Sequence, residues 1–331
     1  MGLEIVGGLI YLLLAGDLLV RGSIALARRT QIPPTVVGLT IVAFGTSAPE
    51  LVVSLQAAYQ GHAEMSIGNV VGSNIANALL VLGLPALIIP TGPTRESVAT
   101  DTIWMVLVSL LFVGLCFFGA LGPPQGLLLL ALLAVMLVQS LRRANGGSGS
   151  TETREEELER MLGLPTTRRS IGLFLLLGAA GLPLGAYLMV DGAVQLAAVL
   201  GVTDGVIGLS VVAFGTSLPE LATTIAAALR RHADVAIGNV LGSNLFNILA
   251  IMGTVSLAAP EPIPVPAAFL RFDLFVMLAA ALAMALLAWR GGAVSRPAAG
   301  LLVAGYSAYM FVLFSEAPVR AAAAALTTGG P

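Results

Sequence analysis

The stretch from Gly38 to Asn77 recurs, in unbroken register and with more than half of its positions identical, from Gly208 to Asn247. The first copy opens GLTIVAFGTSAPEL and closes HAEMSIGNVVGSNIAN; the second opens GLSVVAFGTSLPEL and closes HADVAIGNVLGSNLFN. A match of this length marks a duplicated module, so the chain must fold as two related halves. Each copy places one carboxylate, Glu50 or Glu220, inside a run otherwise apolar enough to cross a bilayer. Holding a charge at that depth costs about 3 kcal/mol or more, which makes the pair a functional site by default.

The rest of the chain agrees with a bilayer as its solvent. Of the 331 residues, 57% are hydrophobic and 10% charged, with a mean hydropathy of +0.95, which excludes a soluble domain of this size. Glu4 precedes the first apolar run and no basic residue does, so from about Leu3 the chain reads as a first span and not as a secretory signal. Runs of about 20 apolar residues are long enough to cross. They fall near 3–27, 34–59, 66–90, 102–120, 124–141, 170–200, 205–229, 235–258, 269–289 and 298–315. The expectation is an all-α membrane protein of about ten transmembrane helices. Residues 1–141 hold the first five, with the motif at 38–77, and residues 170–331 hold the second five, with the motif at 208–247. Residues 142–169 form a polar linker whose GGSGS part is flexible by composition, and within it TREEELERML suits a short surface helix.

Every one of the sixteen basic residues is arginine, and their placement sets the topology. With the linker cytoplasmic, Arg28, Arg29, Arg95, Arg142, Arg143, Arg168, Arg169, Arg230, Arg231, Arg290 and Arg296 all fall inside, and both termini lie outside. Arg28 and Arg29 precede the first GTSAPE segment, whereas Arg230 and Arg231 follow the second, GTSLPE. The two copies therefore enter the membrane from opposite sides. Five spans per half give such inverted repeats, which gather equivalent residues near the bilayer midplane.

On a helix Ala43, Thr46, Ser47 and Glu50 share one face, as do Ala213, Thr216, Ser217 and Glu220. Pro49 and Pro219 sit within these spans, so nearby carbonyls lose their donors and turn to an ion or water. In each following span Ser73 with Asn77, and Ser243 with Asn247, add a second polar row. The glycines of these rows, Gly68, Gly72, Gly238 and Gly242, serve close helix packing as readily as function. Carboxylate, hydroxyl, amide and carbonyl oxygens, without thiolate or imidazole, suit a hard cation; Ca²⁺ takes about 6 to 8 such oxygens, and two carboxylates balance its charge. Asp17 and Asp191 are expected to find local polar partners or to face water, and not to ligate an ion, Asn74 and Asn244 to bond between helices, and the lone Cys116 to be packed and inert. His62 and His232, between spans, read as interfacial residues. No His or Lys base lies within either motif to activate Ser47 or Ser217, which argues against a hydrolase.

The paired GTSAPE/GTSLPE and GNVVGSN/GNVLGSN motifs resemble the two α-repeats of the cation/calcium exchanger superfamily, specifically its prokaryotic sodium/calcium antiporters. The resemblance covers nearly the whole chain except the linker. It implies a core of the second, third, seventh and eighth helices around a midplane ion site, with the first and sixth sliding across it. It further implies that Glu50, Glu220 and the carbonyls of Thr46 and Thr216 hold calcium. Sodium would draw on Ser47, Ser73, Ser217, Ser243, Asn77, Asn247 and the backbone of Ala43 and Ala213. Potassium-dependent relatives carry Asp where this chain has Asn77 or Asn247, so potassium dependence is not expected. The partners implied are Na⁺, Ca²⁺ and the lipid of an inner cell membrane, with no enzyme activity, cofactor or nucleic acid; a monomer holds both repeats and suffices for transport. The alternative is a Ca²⁺/H⁺ antiporter of the same superfamily.

Overall fold

The computed structural model describes residues 2–30, 32, 34–61, 63–90, 95–145, 164–199, 213–291 and 293–328. His62, most of the linker with its expected surface helix, and the first part of the seventh span lie outside them. Among the described residues ten helices follow one another. The first half contains α1 (Gly2–Thr30), α2 (34–59), α3 (Ala63–Ile88), α4 (Arg95–Phe117) and α5 (Pro123–Asn145). The second contains α6 (Arg168–Val199), α7 (213–229), α8 (Ala233–Ala258), α9 (Phe269–Arg290) and α10 (Arg296–Thr328). Nine of these described helices are long and apolar enough to cross a membrane, and the described part of α7, although apolar, is shorter.

The opening helices of the two halves are packed as an antiparallel pair. Gly22 of α1 faces Leu175 of α6, and Gly178, Gly181 and Gly185 of α6 face Leu19, Ala15 and Leu12 of α1 in turn. Rising numbers on one helix meet falling numbers on the other, as inverted repeats require. The small residues let the two backbones approach where lipid supplies no hydrophobic drive for association.

Loop contacts fix the two faces. Leu121, between α4 and α5, and Ile263, between α8 and α9, exchange backbone hydrogen bonds of 2.9 and 2.8 Å. These loops share one face, so an even number of crossings separates them, and α5, α6, α7 and α8 supply four. On the opposite face Arg29 reaches the Thr166 carbonyl ahead of α6 at 3.4 Å, and Arg296 the Ile88 carbonyl at the end of α3 at 3.5 Å. Arg28, Arg142, Arg168, Arg169, Arg230, Arg231 and Arg290 stand at helix ends on this same second face.

The centre belongs to α3 and α8, with 78% and 94% of their apolar windows buried, against 22% for α5 and 17% for α10. Around them, α5 lies on the later half of α8 and its counterpart α10 on the later half of α3, while α4 packs on α9. Leu176, Leu301 and Phe311 point outward, which is the side-chain distribution of a helix bundle in lipid.

Both central helices widen at the same place. Asn77–Val81 in α3 and Asn247–Met252 in α8 are π-helical, as are Gly38–Val42 after the first turn of α2 and Phe269–Asp273 at the start of α9. Only α3 has a proline nearby, Pro85, so the shared turn belongs to the asparagine motif and not to a missing N–H. The GTSxPE segments differ: α2 runs unbroken from Ala43 to Tyr59 through Pro49, whereas α7 is interrupted at Ser217 (φ −87°, ψ 0°). An interruption thus appears in one repeat only, where Pro219 takes its ordinary place in a helical first turn.

Candidate functional site

The inverted repeats bring the two GTSxPE rows face to face. Glu50 and Glu220 are each 1% exposed, and Ala43, Thr46, Ser47, Thr216 and Ser217 are buried beside them, with Ala213 opening the described part of α7. Ser73, Asn77, Ser243 and Asn247 of α3 and α8 are likewise enclosed. Contacts cross between the halves: Ser47 donates to Glu220 Oε1 at 3.0 Å, Thr46 and Ser243 hydroxyls stand 3.5 Å apart, and Asn247 donates to Asn74 Oδ1 at 3.0 Å. All of the sequence-predicted residues therefore lie on the four central helices, and all of them except Ala213, whose burial lies outside the description, are in the protein interior.

A set of buried oxygens at this centre has no hydrogen-bond partner among the described residues. It comprises both carboxylate oxygens of Glu50, Oε2 of Glu220, the Ser73 and Ser217 hydroxyls, and the amide oxygens of Asn77 and Asn247. Leaving one such group unsatisfied costs about 1–3 kcal/mol, more when it is charged, and these come from both repeats. Carboxylate, hydroxyl and amide oxygens with flexible side chains are the donors that hard cations take. No group of three or more His, Cys, Asp or Glu placed to hold a metal ion occurs among the described residues.

Two residues that sequence reasoning passed over are built into the site. Asn69 donates to the Glu50 carbonyl at 3.4 Å and to Ser54 Oγ at 2.9 Å; Asn239 donates to the Glu220 carbonyl at 3.4 Å and to Thr224 Oγ1 at 3.1 Å. The signal was present, since each asparagine sits in the repeated GNV segment.

Asp17 pairs with Arg21 and, from α1 to the end of α7, with Arg230, while Asp191 accepts from Gln195 at 2.9 Å. Both have local partners, as expected. Asn74 donates to the Asn244 carbonyl at 3.4 Å, an interhelical bond of the kind foreseen. A Cβ on Gly242 would run into the Leu39 carbonyl, which fixes that glycine's role as close packing of α8 on α2; beside Gly72, by contrast, nothing lies within 4 Å. Cys116 is buried and in no disulfide, and His232 is the residue that precedes α8 at the turn between spans.

A family model described as sodium/calcium exchanger protein matches residues 3–142 and 170–315. The chain is a member of the sodium/calcium exchanger family. The matched region of this family member leaves out the polar middle and takes in both motifs. Inner membrane protein YrbG of Escherichia coli is 35% identical over 320 residues, covering 94% of this chain and 96% of that one. Sodium/calcium exchanger MaX1 of Methanosarcina acetivorans is 31% identical over 339 residues, covering 93% and 96%. A solved structure of the sodium-calcium exchanger NCX_Mj superposes with a TM-score of 0.80 at 31% identity, covering 94% of this chain and 97% of its own. The family is one of exchangers, and its match spans all ten described helices up to residue 315.

Proposed function

We propose that this chain is a secondary active antiporter that exchanges Na⁺ for Ca²⁺ by alternating access. The observation that carries the reading is the buried meeting of Glu50 and Glu220 from inverted repeats, with both oxygens of Glu50 and Oε2 of Glu220 left without a hydrogen-bond partner among the described residues. In this reading the two carboxylates and the carbonyls of Thr46 and Thr216 hold one Ca²⁺. Several Na⁺ ions take overlapping oxygens of Ser47, Ser73, Ser217, Ser243, Asn77 and Asn247 and of the Ala43 and Ala213 backbone.

The coupling is electrostatic. Two negative charges stay at midplane when the site is empty, and moving them across the core is costly; a bound Ca²⁺ or a set of Na⁺ ions cancels them. The carrier therefore changes face loaded, and one ion's gradient drives the other. Asn at both 77 and 247 leaves no third carboxylate at the centre, which supports sodium over potassium or proton coupling. The arginine-rich face is assigned to the cytoplasm of a cell whose inner membrane holds the protein, which places the 142–169 linker inside and both termini outside.

The test is ⁴⁵Ca²⁺ uptake into proteoliposomes loaded with Na⁺, compared with K⁺ loading and with an imposed proton gradient, for wild type and Glu50→Gln. Uptake driven by the outward Na⁺ gradient and abolished by the substitution is the expected result. Uptake that follows the proton gradient instead would transfer the protein to the Ca²⁺/H⁺ class, and uptake under neither would remove calcium as cargo.

A further inference from the structure

Asn69 and Asn239 each touch three groups, and the pattern is the same under the exchange of repeats. The amide nitrogen of each faces the carbonyl of the glutamate in its own repeat at 3.4 Å, and a hydroxyl one turn further on, Ser54 or Thr224. The amide oxygen of each accepts from the threonine of the other repeat: Thr216 Oγ1 to Asn69 at 3.4 Å, and Thr46 Oγ1 to Asn239 at 3.3 Å. A carbonyl only accepts, so the nitrogen must face Glu50 or Glu220, which leaves the oxygen for the threonine.

Packing alone does not explain this arrangement. Asn74 and Asn244 also bond between helices, yet they reach thioether sulfurs and each other's neighbourhood, and neither touches a glutamate or threonine of the motif. The hydroxyl partner persists across the duplication although its residue type changes, Ser54 in one repeat and Thr224 in the other. It persists also where the surroundings diverge, since Ser66 adds a bond to the Ser54 carbonyl and its counterpart is Ala236. What both halves retain is a bridge from a glutamate-bearing backbone to the opposing threonine.

We propose that Asn69 and Asn239 are positioning residues that fix the spacing between the two half-sites. Each ties the Glu of one repeat to the Thr of the other. The inference rests on the Na⁺/Ca²⁺ reading above and adds to it how the cavity keeps its size. Anchoring the Glu50 and Glu220 carbonyls sets the depth and rotation of α2 and α7, and hence where the carboxylates point. Anchoring the threonine hydroxyls sets the same two helices from across the pseudo-two-fold. Thr46 has one hydroxyl proton to share between the Ala43 carbonyl at 3.2 Å and Asn239, so Asn239 also holds that hydroxyl in place above its own backbone. A cation that draws many oxygens from both repeats at once depends most on this spacing, and Ca²⁺, with about 6 to 8 ligands, does so more than Na⁺.

A double-substitution cycle in Na⁺-loaded proteoliposomes tests it, with the Ca²⁺ KM of uptake as readout and the monodisperse fraction as a check on folding. Loss of an outer-sphere partner lowers metal affinity about 10- to 100-fold, and the Ca²⁺ KM of Asn239→Ala should rise within that range, more than Vmax falls. Thr46→Val, nearly isosteric, should raise it in the same direction, and Thr46→Ser, which restores the hydroxyl, should recover most of the loss. Combining Asn239→Ala with Thr46→Val should add little to Asn239→Ala alone, whereas Asn239→Ala with Thr216→Val, a non-partner, should multiply. The mirror cycle pairs Asn69 with Thr216. Should Asn239→Ala fail to fold, the Thr46→Val and Thr46→Ser comparison decides alone: equal KM values for the two overturn the inference. Multiplication in the partner pair, or an unchanged KM with less folded protein, would likewise overturn it and reduce both asparagines to packing. Absence of Na⁺-driven Ca²⁺ uptake in the wild type is a different failure, that of the exchange reading beneath.

Discussion

A single methyl group on α6 should separate close packing from open space along one helix. At Gly178 an added Cβ would stand 2.6 Å from the Cβ and backbone nitrogen of Leu19 on α1. Carbon atoms rest at about 3.5–4.0 Å, so in Gly178→Ala the two helices must part by about 1 Å. Overpacking of this kind costs about 1–3 kcal/mol. Replacing glycine by alanine in a helix returns about 1 kcal/mol of propensity, leaving a net loss of up to about 2 kcal/mol. The displacement would also lift Gly181 and Gly185 off Ala15 and Leu12, where a Cβ would come within 2.8 and 2.9 Å of α1. Gly172 lies on the same helix with nothing within 4 Å, so Gly172→Ala gains propensity with no clash. Thermal unfolding in detergent, followed by intrinsic fluorescence or by the monodisperse fraction after heating, should rank Gly172→Ala at or above wild type and Gly178→Ala below it. A Gly178→Ala protein that melts as high as Gly172→Ala would refute the close α1–α6 contact and the antiparallel register drawn from it.

Two further outcomes follow from the same geometry. Asp17 links α1 to the end of α7 through Arg230 and is partly accessible, its side chain 31% exposed, so Asp17→Asn should lower stability by no more than about 1 kcal/mol. Its loss should be smaller at high salt, and exchanging the charges (Asp17→Arg with Arg230→Asp) should restore part of it; equal losses for the single and exchanged variants in thermal melts would count against the pair. Cys116 is buried within α4, so a membrane-permeant maleimide should label it only after the bundle is unfolded, and fast labelling of the native protein, read by mass spectrometry, would contradict its packing.

The duplicated text was enough to predict two halves, opposite insertion and a shared carboxylate site, because each of these depends on local spacing and on the cost of a charge in lipid. Glu50 and Glu220 announced themselves by chemistry alone, and the arginines announced the two faces. The sequence by itself therefore indicated where the long apolar helices lie, that the repeats are inverted relative to each other, and which side chains needed an explanation. It did not determine who touches whom. Asn69 and Asn74 lie five residues apart on one apolar helix and both recur in the second repeat, yet only Asn69 reaches Glu50 and Thr216. Its partners come from α2 and α7, so its role exists only after the repeats have closed on each other. The same holds for the interruption of α7 at Ser217 against the unbroken α2, and for Gly242, whose missing Cβ matters because Leu39 has been carried beside it. Periodicity and transfer free energy act along the chain and can be read from it, whereas hydrogen bonds between inverted halves depend on helix rotation and depth, which only packing sets.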